Sequence, residues 1–384
     1  MMRPATVSAT VCAGSYTGRV GAASTHESLA PIVTARCRHR RAAAHSVSLG
    51  VKCHVFPPKR RDSIPRRLAP PLAASLTSTY EDAEREVQSG VFEGFWSWRG
   101  HRVRYVRSGT EGPQMLLVHG FGGNADHWRK NVGYLGQFGQ VWAIDLLGYG
   151  YSSKPKPDPE NPNQVYNFEV WAEQLNDFQE DKFGGAPSFL ISNSVGGVAC
   201  LQAAVNRSDL VQGVQLLDVS LRMLHTSKQP PLARPFIAYF QKLLRTTSLG
   251  RSFFAQVAQH ATVKKILKEA YFDPSAVTDE LVDCILKPGL EPGAVDVFLD
   301  FISYSGGPLA EDLLPKLTCP VSILWGEEDP WEKLEWGRKF ESYDAVEEFV
   351  PLPGVGHCPM DEAPDTVNPL IKRFVMRHAA EETV

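Results

Sequence analysis

Short, mostly apolar runs recur along this chain, and each stops abruptly at a small or polar residue. MLLV (115–118) ends at His119, VWAI (141–144) at Asp145, FLI (189–191) at Ser192, VQLL (214–217) at Asp218 and VSILW (321–325) at Gly326. Runs of this length, near-continuous rather than alternating, suit strands buried on both faces of a sheet. Between them lie helical patterns, near 128–135, over 167–183 and from 195 to about 205. Buried strands alternating with amphipathic helices require a parallel sheet covered on both sides. In front stand FWSW (95–98) and the polar–apolar alternation HRVRYVR (101–107); behind stand EFVPL (348–352) and a closing helix from Pro364 to about His378. The expected fold class is α/β, a doubly wound, mostly parallel sheet of eight strands.

The rhythm breaks once. Residues 220–306 carry helical patterns only, with Phe236, Phe240, Leu243 and Leu244 on one helix face. This reads as a helical cap inserted between strands 6 and 7, over the carboxyl ends of the sheet, where open α/β sheets bind ligands. The expected organisation is a leader (1–75), a first core segment (76–219), the cap (220–306) and a second core segment (307–384).

Charge separates the leader from the rest. Residues 1–75 hold twelve Lys/Arg and two acids, a net of +10, and are rich in Ala, Ser, Thr and Val. From residue 76 onward twenty-eight basic residues face forty-one acidic ones, a net of −13. An Arg-rich, Ser-rich, acid-poor leader is the signature of an organelle transit peptide. Its length and weakly charged start point to a chloroplast before a mitochondrion, with cleavage between Arg67 and Glu81. The alternative is a disordered basic arm for nucleic acid or anionic membrane. The acidic remainder is a poor nucleic-acid binder. The cysteines outside the leader, Cys200, Cys284, Cys319 and Cys358, are scattered without a C-x-x-C, which argues against structural zinc and for reduced, mostly buried thiols.

The chemistry concentrates at FLISNSVGGVAC (189–200). An apolar strand, a tight turn carrying serine and a helix form the context of a nucleophile elbow. Two residues either side of the nucleophile must be small, because strand and helix cross closely there. Around Ser194 those positions are Ser192 and Gly196; around Ser192 they would be Leu190 and Ser194, and Leu190 belongs to the buried strand. Steric fit therefore selects Ser194. The competing reading is a plain αβ turn with Gly196 and Gly197 for close packing.

A serine needs a base. His357, in PGVGHCP (353–359) just after the last strand, is the candidate. His119 reads as a structural partner of its own loop. His127, His225 and His260 read as surface or packing residues, and His378 as exposed. A carboxylate must orient the base. Asp329, in WGEEDPW (325–331), has an Asp-Pro step that defines its turn; Asp218, at the end of the strand after the elbow, could reach the same histidine. Two backbone donors are needed for an oxyanion: the N–H of Val195, and that of Phe121 in HGFGG (119–123). That glycine-rich loop lacks the Lys-Ser/Thr of a P-loop and the spacing of a dinucleotide fingerprint. No metal site and no cofactor is implied.

HGFGGNADHW (119–128), AIDLLGYGYS (143–152), NSVGG (193–197), WGEEDPW (325–331) and GHCPMDEAP (356–364) together resemble the α/β-hydrolase family, from about Phe92 to the C-terminal helix. The FWSWRG opening (95–100), the DLLGYG loop, the GEEDPW loop and the GHCPMDE loop are similar to chloroplast hydrolases of the pheophytinase and chlorophyll dephytylase group. The resemblance implies a catalytic triad of Ser194, Asp329 and His357, with Phe121 and Val195 as oxyanion donors. It departs at Ser192, where the family usually has glycine. Dehalogenases and epoxide hydrolases of this family carry aspartate at the nucleophile position, unlike Ser194. The implied activity is a serine hydrolase of a lipophilic carboxylic ester, such as a phytyl ester of a chlorophyll-type pigment or a plastid lipid. Carbon–carbon bond hydrolysis by the same triad and a non-hydrolytic receptor role are the alternatives. Aromatic cap residues (Phe236, Tyr239, Phe240, Phe253, Phe254), interleaved with Arg234, Lys242, Arg245 and Arg251, either pack the cap onto the core or meet a membrane surface.

Overall fold

The computed structural model describes residues 83–379; the leader, its cleavage point and the last five residues lie outside this range. Among the described residues one sheet has nine strands: β1 (Arg85–Gln88), β2 (Val91–Trp98), β3 (His101–Ser108), β4 (Gln114–Val118), β5 (Gln140–Ile144), β6 (Ser188–Asn193), β7 (Val211–Leu217), β8 (Val321–Gly326) and β9 (Val346–Leu352). Their order is β1-β2-β3-β5-β4-β6-β7-β8-β9. The first three strands meet their neighbours antiparallel, and β5 through β9 run parallel. The eight expected strands form, and β1 adds a ninth. It was not legible because REVQ is exposed at every position and has no apolar pattern. The helical insertion accordingly falls between the seventh and eighth strands.

Side chains alternate across a strand, and both faces of this sheet are covered. Leu116, Val118, Ile144, Leu190, Leu216 and Ile323 pack with Trp171, Leu175 and Phe178. Met115, Leu117, Ala143, Ile191 and Leu217 pack on the other face with Trp128, Ile371 and Phe374. Helix Phe168–Phe183 is started by Asn167, whose side chain accepts from the Val170 N–H, and stopped by Gly184 in the left-handed region. The expected helix near 128–135 is instead a 3-10 turn, Ala125–Trp128, followed by a single helical turn, Val132–Leu135. The closing helix, Pro364–Ala379, holds His378 buried rather than exposed: its ring lies against Phe374 and bonds Glu347. Cys200 and Cys358 are buried, Cys284 and Cys319 partly so, and all four are free thiols.

Between β7 and β8 come the helices Arg234–Thr246, Ser248–Val257, His260–Ala270, Asp279–Gly289 and Ala294–Ile302. Of the two arrangements open to Phe236 and Phe240, their side chains do not pack onto the core; they are 76% and 54% exposed. Elsewhere the insertion is tied to the core. Asn124 donates to the Cys284 carbonyl at 2.8 Å, and Asn163 to that of Asp300 at 2.8 Å. Tyr271 donates to Asp361 Oδ2 at 2.9 Å and accepts from His127 Nε2 at 3.0 Å. Burial pushes His127 down to about 4, so its ring stays neutral. Asp361, fully buried, is also paired with Arg129 and Lys130. Tyr271→Phe strands a buried N–H and a buried carboxylate oxygen. It should cost about 1–3 kcal/mol, read from the urea midpoint.

Candidate active site

The carboxyl ends of β4, β6, β7, β8 and β9 deliver His119, Ser194, Asp218, Asp329 and His357 to one edge of the sheet. Ser194 stands between β6 and helix Val195–Asn206 at φ 54°, ψ −124°. Positive φ at a non-glycine residue is costly. It is held here by the Leu217 carbonyl, which accepts the Ser194 N–H at 3.0 Å, and by Ser220 and Gly197, whose N–H groups donate to its carbonyl at 3.1 and 3.0 Å. The tightness expected around the turn is present. A methyl group built on Gly196 would lie 2.4 Å from the His119 carbonyl oxygen, and one on Gly120 would lie 2.9 Å from Ser194 Cβ. Gly196→Ala should therefore displace the His119 loop and lower kcat about a hundredfold with less change in KM, measured on a soluble ester. Ser192 is fully buried, and its hydroxyl lies 3.4 Å from the Gln215 carbonyl and also meets the Cys200 thiol.

Ser194 Oγ lies 3.0 Å from His357 Nε2, and His357 Nδ1 lies 2.6 Å from Asp329 Oδ2. The serine hydroxyl donates to the first nitrogen and the second donates to the carboxylate. Asp329 Oδ1 accepts the N–H groups of Trp331 and Glu332 at 2.8 and 3.0 Å. Burial would raise the Asp329 carboxyl, but His357 and these donors outweigh it and hold it below its usual range. Burial alone would lower the His357 imidazole; the Asp329 charge and hydrogen bond raise it above 6.5. Asp218 does not meet the histidine. It accepts the Gly326 N–H at 2.9 Å, and burial together with the Asp329 charge pushes its carboxyl well above the ordinary range. Both influences favour its protonated form, and it sits behind Asp329.

His119 ties its own loop to the one after β5, donating from Nδ1 to the Gly120 carbonyl at 2.8 Å and accepting the Leu146 N–H at Nε2 at 3.1 Å. That leaves Phe121 at the rim, its ring 5.2 Å from Phe301 and 5.7 Å from Phe298. Among the described residues neither the Phe121 nor the Val195 N–H donates to a protein acceptor. On the insertion His260 is exposed, and His225 is half-buried with its ring bonded to Ser227 and to the Gly307 carbonyl. No group of three His, Cys, Asp or Glu among the described residues could hold a metal ion. An open cleft of about 820 Å³ lies by β2, between Arg104, Tyr151 and Glu291, and none of Ser194, Asp329 and His357 lines it.

Several positioning groups have no sequence signal. Asn193 Nδ2 donates to the His357 carbonyl at 3.0 Å, joining the two loops. Glu362 accepts the Gly356 and Cys358 N–H groups, and the His357 N–H donates to the Ala270 carbonyl at 2.9 Å, so the insertion itself supports the histidine. Glu332 is buried, accepts the Ser220 hydroxyl at 2.9 Å, and is pushed up to about 7 by burial. When ionised it stabilises protonated His357. A neutral His357 is the form that can accept the serine proton, so kcat/KM should fall as pH drops through the raised histidine pKa. Glu332→Gln should move that acid limb to lower pH, checked by a pH–rate profile.

A hydrogen-bonded serine–histidine–carboxylate chain is suited to acyl transfer. The profile of the alpha/beta hydrolase family matches residues 115–370. Chloroplastic pheophytinase of Arabidopsis thaliana is 26% identical over 347 residues, covering 77% of this chain and 68% of its own. The 2-hydroxy-6-oxo-6-(2'-aminophenyl)hexa-2,4-dienoic acid hydrolase of Metapseudomonas resinovorans is 22% identical, covering 78% and 96%. Among solved structures, a serine hydrolase involved in carbazole degradation superposes with a TM-score of 0.60 at 18% identity, covering 74% and 99%. From the order of the sheet, the turn at Ser194 and the extent of the family match, the chain belongs to the alpha/beta hydrolase family.

Proposed function

We propose that this protein is a serine hydrolase that cleaves a lipophilic carboxylic ester through an acyl-enzyme. The observation that carries the reading is the continuous chain from Ser194 Oγ through His357 to Asp329. Ser194 Oγ attacks the ester carbonyl carbon while its proton passes to His357 Nε2. The N–H groups of Phe121 and Val195 receive the developing oxyanion. Collapse breaks the ester C–O bond, and the leaving alcohol takes the proton from His357. A water molecule then repeats the attack on the acyl-serine, with His357 as base, and releases the acid. Asp329 stays ionised and stabilises the imidazolium.

The rim of the site supports a lipophilic substrate. Phe121 packs among Tyr149, Phe298 and Phe301, so the approach to Ser194 is aromatic rather than charged. Together with the similarity to a chloroplastic pheophytinase, this favours a phytyl ester of a chlorophyll-type pigment or another plastid lipid, met in a plastid. The Metapseudomonas resinovorans relative keeps carbon–carbon bond hydrolysis by the same residues as the second reading. A panel of p-nitrophenyl esters, acylglycerols, galactolipids, pheophytin and a vinylogous diketone decides. Hydrolysis of the esters with loss in Ser194→Ala supports the proposal; turnover of the diketone alone overturns it.

A further inference from the structure

On helix Arg234–Thr246 only Leu244 is buried. Phe236, Tyr239 and Phe240, at spacings of three and four that share one helix face, are 76%, 64% and 54% exposed. Leu232, just before them, is 88% exposed, and on helix Ser248–Val257 Leu249 and Phe253 are 53% and 45% exposed. Large apolar side chains grouped this way on two successive helices form a contact surface. Along this stretch of the chain the charge is one-signed. Residues 219–268 contain nine Lys/Arg and no Asp or Glu, within a chain whose residues from 76 onward carry a net of −13. Lys242 is exposed and Arg234 and Arg245 half-buried beside the patch; Arg251 reaches across to Asp296.

We propose that this face of the insertion docks on a lipid bilayer that carries anionic lipids. Aromatic and leucine side chains above a cationic rim suit the boundary between headgroups and acyl chains, and the basic residues are drawn to a negative surface. Leu232, Phe236, Tyr239 and Phe240 each keep more than half of their surface in solvent, which fits a soft, deformable surface better than a folded partner with fixed pockets. Among the described residues no helix is long and apolar enough to cross a membrane, so the contact is interfacial. The same face leads inward. Phe253 and Phe254 lie 6.1 and 5.2 Å from Phe298, and Phe298 lies 5.7 Å from Phe121 at the rim of the Ser194 site. This aromatic row is a path by which an ester dissolved in the bilayer reaches the serine. The docking is independent of the proposed chemistry; the path rests on it.

The test uses the full chain beside Phe236→Glu/Phe240→Glu, whose two sites are exposed and take no part in the Ser194–His357–Asp329 chain. Both are sedimented with vesicles of phosphatidylcholine alone or with added phosphatidylglycerol, and amide exchange over 230–256 is followed on binding. The basic leader, present in both chains, adds the same background. The parent should bind the anionic vesicles with slowed exchange over 230–256, and the variant should bind roughly thirtyfold or more weakly. The variant should hydrolyse p-nitrophenyl butyrate unchanged and lose turnover of a long-chain ester embedded in the vesicles. Equal binding by both chains, equal binding to neutral vesicles, or unchanged exchange over 230–256 overturns the docking. So does self-association through this face without vesicle binding, seen by light scattering and abolished in the variant. If the parent cleaves neither ester while the vesicle results hold, the hydrolase reading fails and the docking stands.

Discussion

Replacing Ser194 with alanine should lower kcat by roughly a millionfold while leaving the fold intact. The hydroxyl is the atom that bonds the substrate, and nothing nearby can replace it. Ser192 is fully buried behind it, with its own hydroxyl toward the Gln215 carbonyl. Alanine fits the position, since the backbone bonds that hold the turn come from main-chain groups of Leu217, Ser220 and Gly197 and need no side chain. The strained φ of 54° is unchanged by the substitution. A fluorophosphonate probe should label the parent at Ser194 and leave the variant unmarked. Persistent labelling or turnover in a folded Ser194→Ala protein would show that another nucleophile works here. A folded parent that takes no label would point to the receptor reading.

Asp329→Asn should lower kcat about ten-thousandfold, the second-largest effect expected. An asparagine amide can present N–H to His357 Nδ1 and so favour the wrong tautomer, with the proton on Nε2 facing Ser194. It also removes the negative charge that raises the histidine pKa. The sign follows directly: with that charge gone, protonated His357 is less stable, and the acid limb of kcat/KM moves to lower pH while the plateau falls. Asp218→Asn is the internal control. Asp218 accepts the Gly326 N–H and does not meet His357, and an asparagine carbonyl can accept the same N–H, so its effect should be far smaller. The pH–rate profiles of the two variants separate these roles. An effect of Asp218→Asn equal to or larger than that of Asp329→Asn would move the orienting role to Asp218.

Much of this was open in the sequence because it is encoded between near neighbours. The strands of the parallel sheet were legible as apolar runs with sharp ends. The small residues flanking Ser194 marked the turn, and the structure places Gly196 against the His119 carbonyl as that steric reading requires. Strand β1 escaped, since its four residues are all exposed and its only reason to be extended is its pairing with β2. The helix expected near 128–135 was broken because Asn124 caps a 3-10 turn there and Asn131 spends its side chain on Met360 and Asn368. His378 escaped for the same reason. Its burial depends on Glu347, thirty-one residues away, which no local pattern reveals.

The sequence by itself determined the class of sheet, the place of the insertion and the identity of a serine, a histidine and two eligible aspartates. Those follow from periodicity, backbone sterics at a tight turn and the chemistry of side chains, all of which act over a few residues. Only the tertiary structure decided which aspartate meets the histidine. Asp218 and Asp329 both follow parallel strands, yet Asp329 reaches His357 at 2.6 Å while Asp218 turns to the Gly326 N–H. It also brought Glu332, Asn193 and the Ala270 carbonyl to the site and left the aromatic face of the insertion outside. Such choices depend on through-space distance and on which groups lose water together, and residues 28 to 164 positions apart acquire those only when the chain has folded.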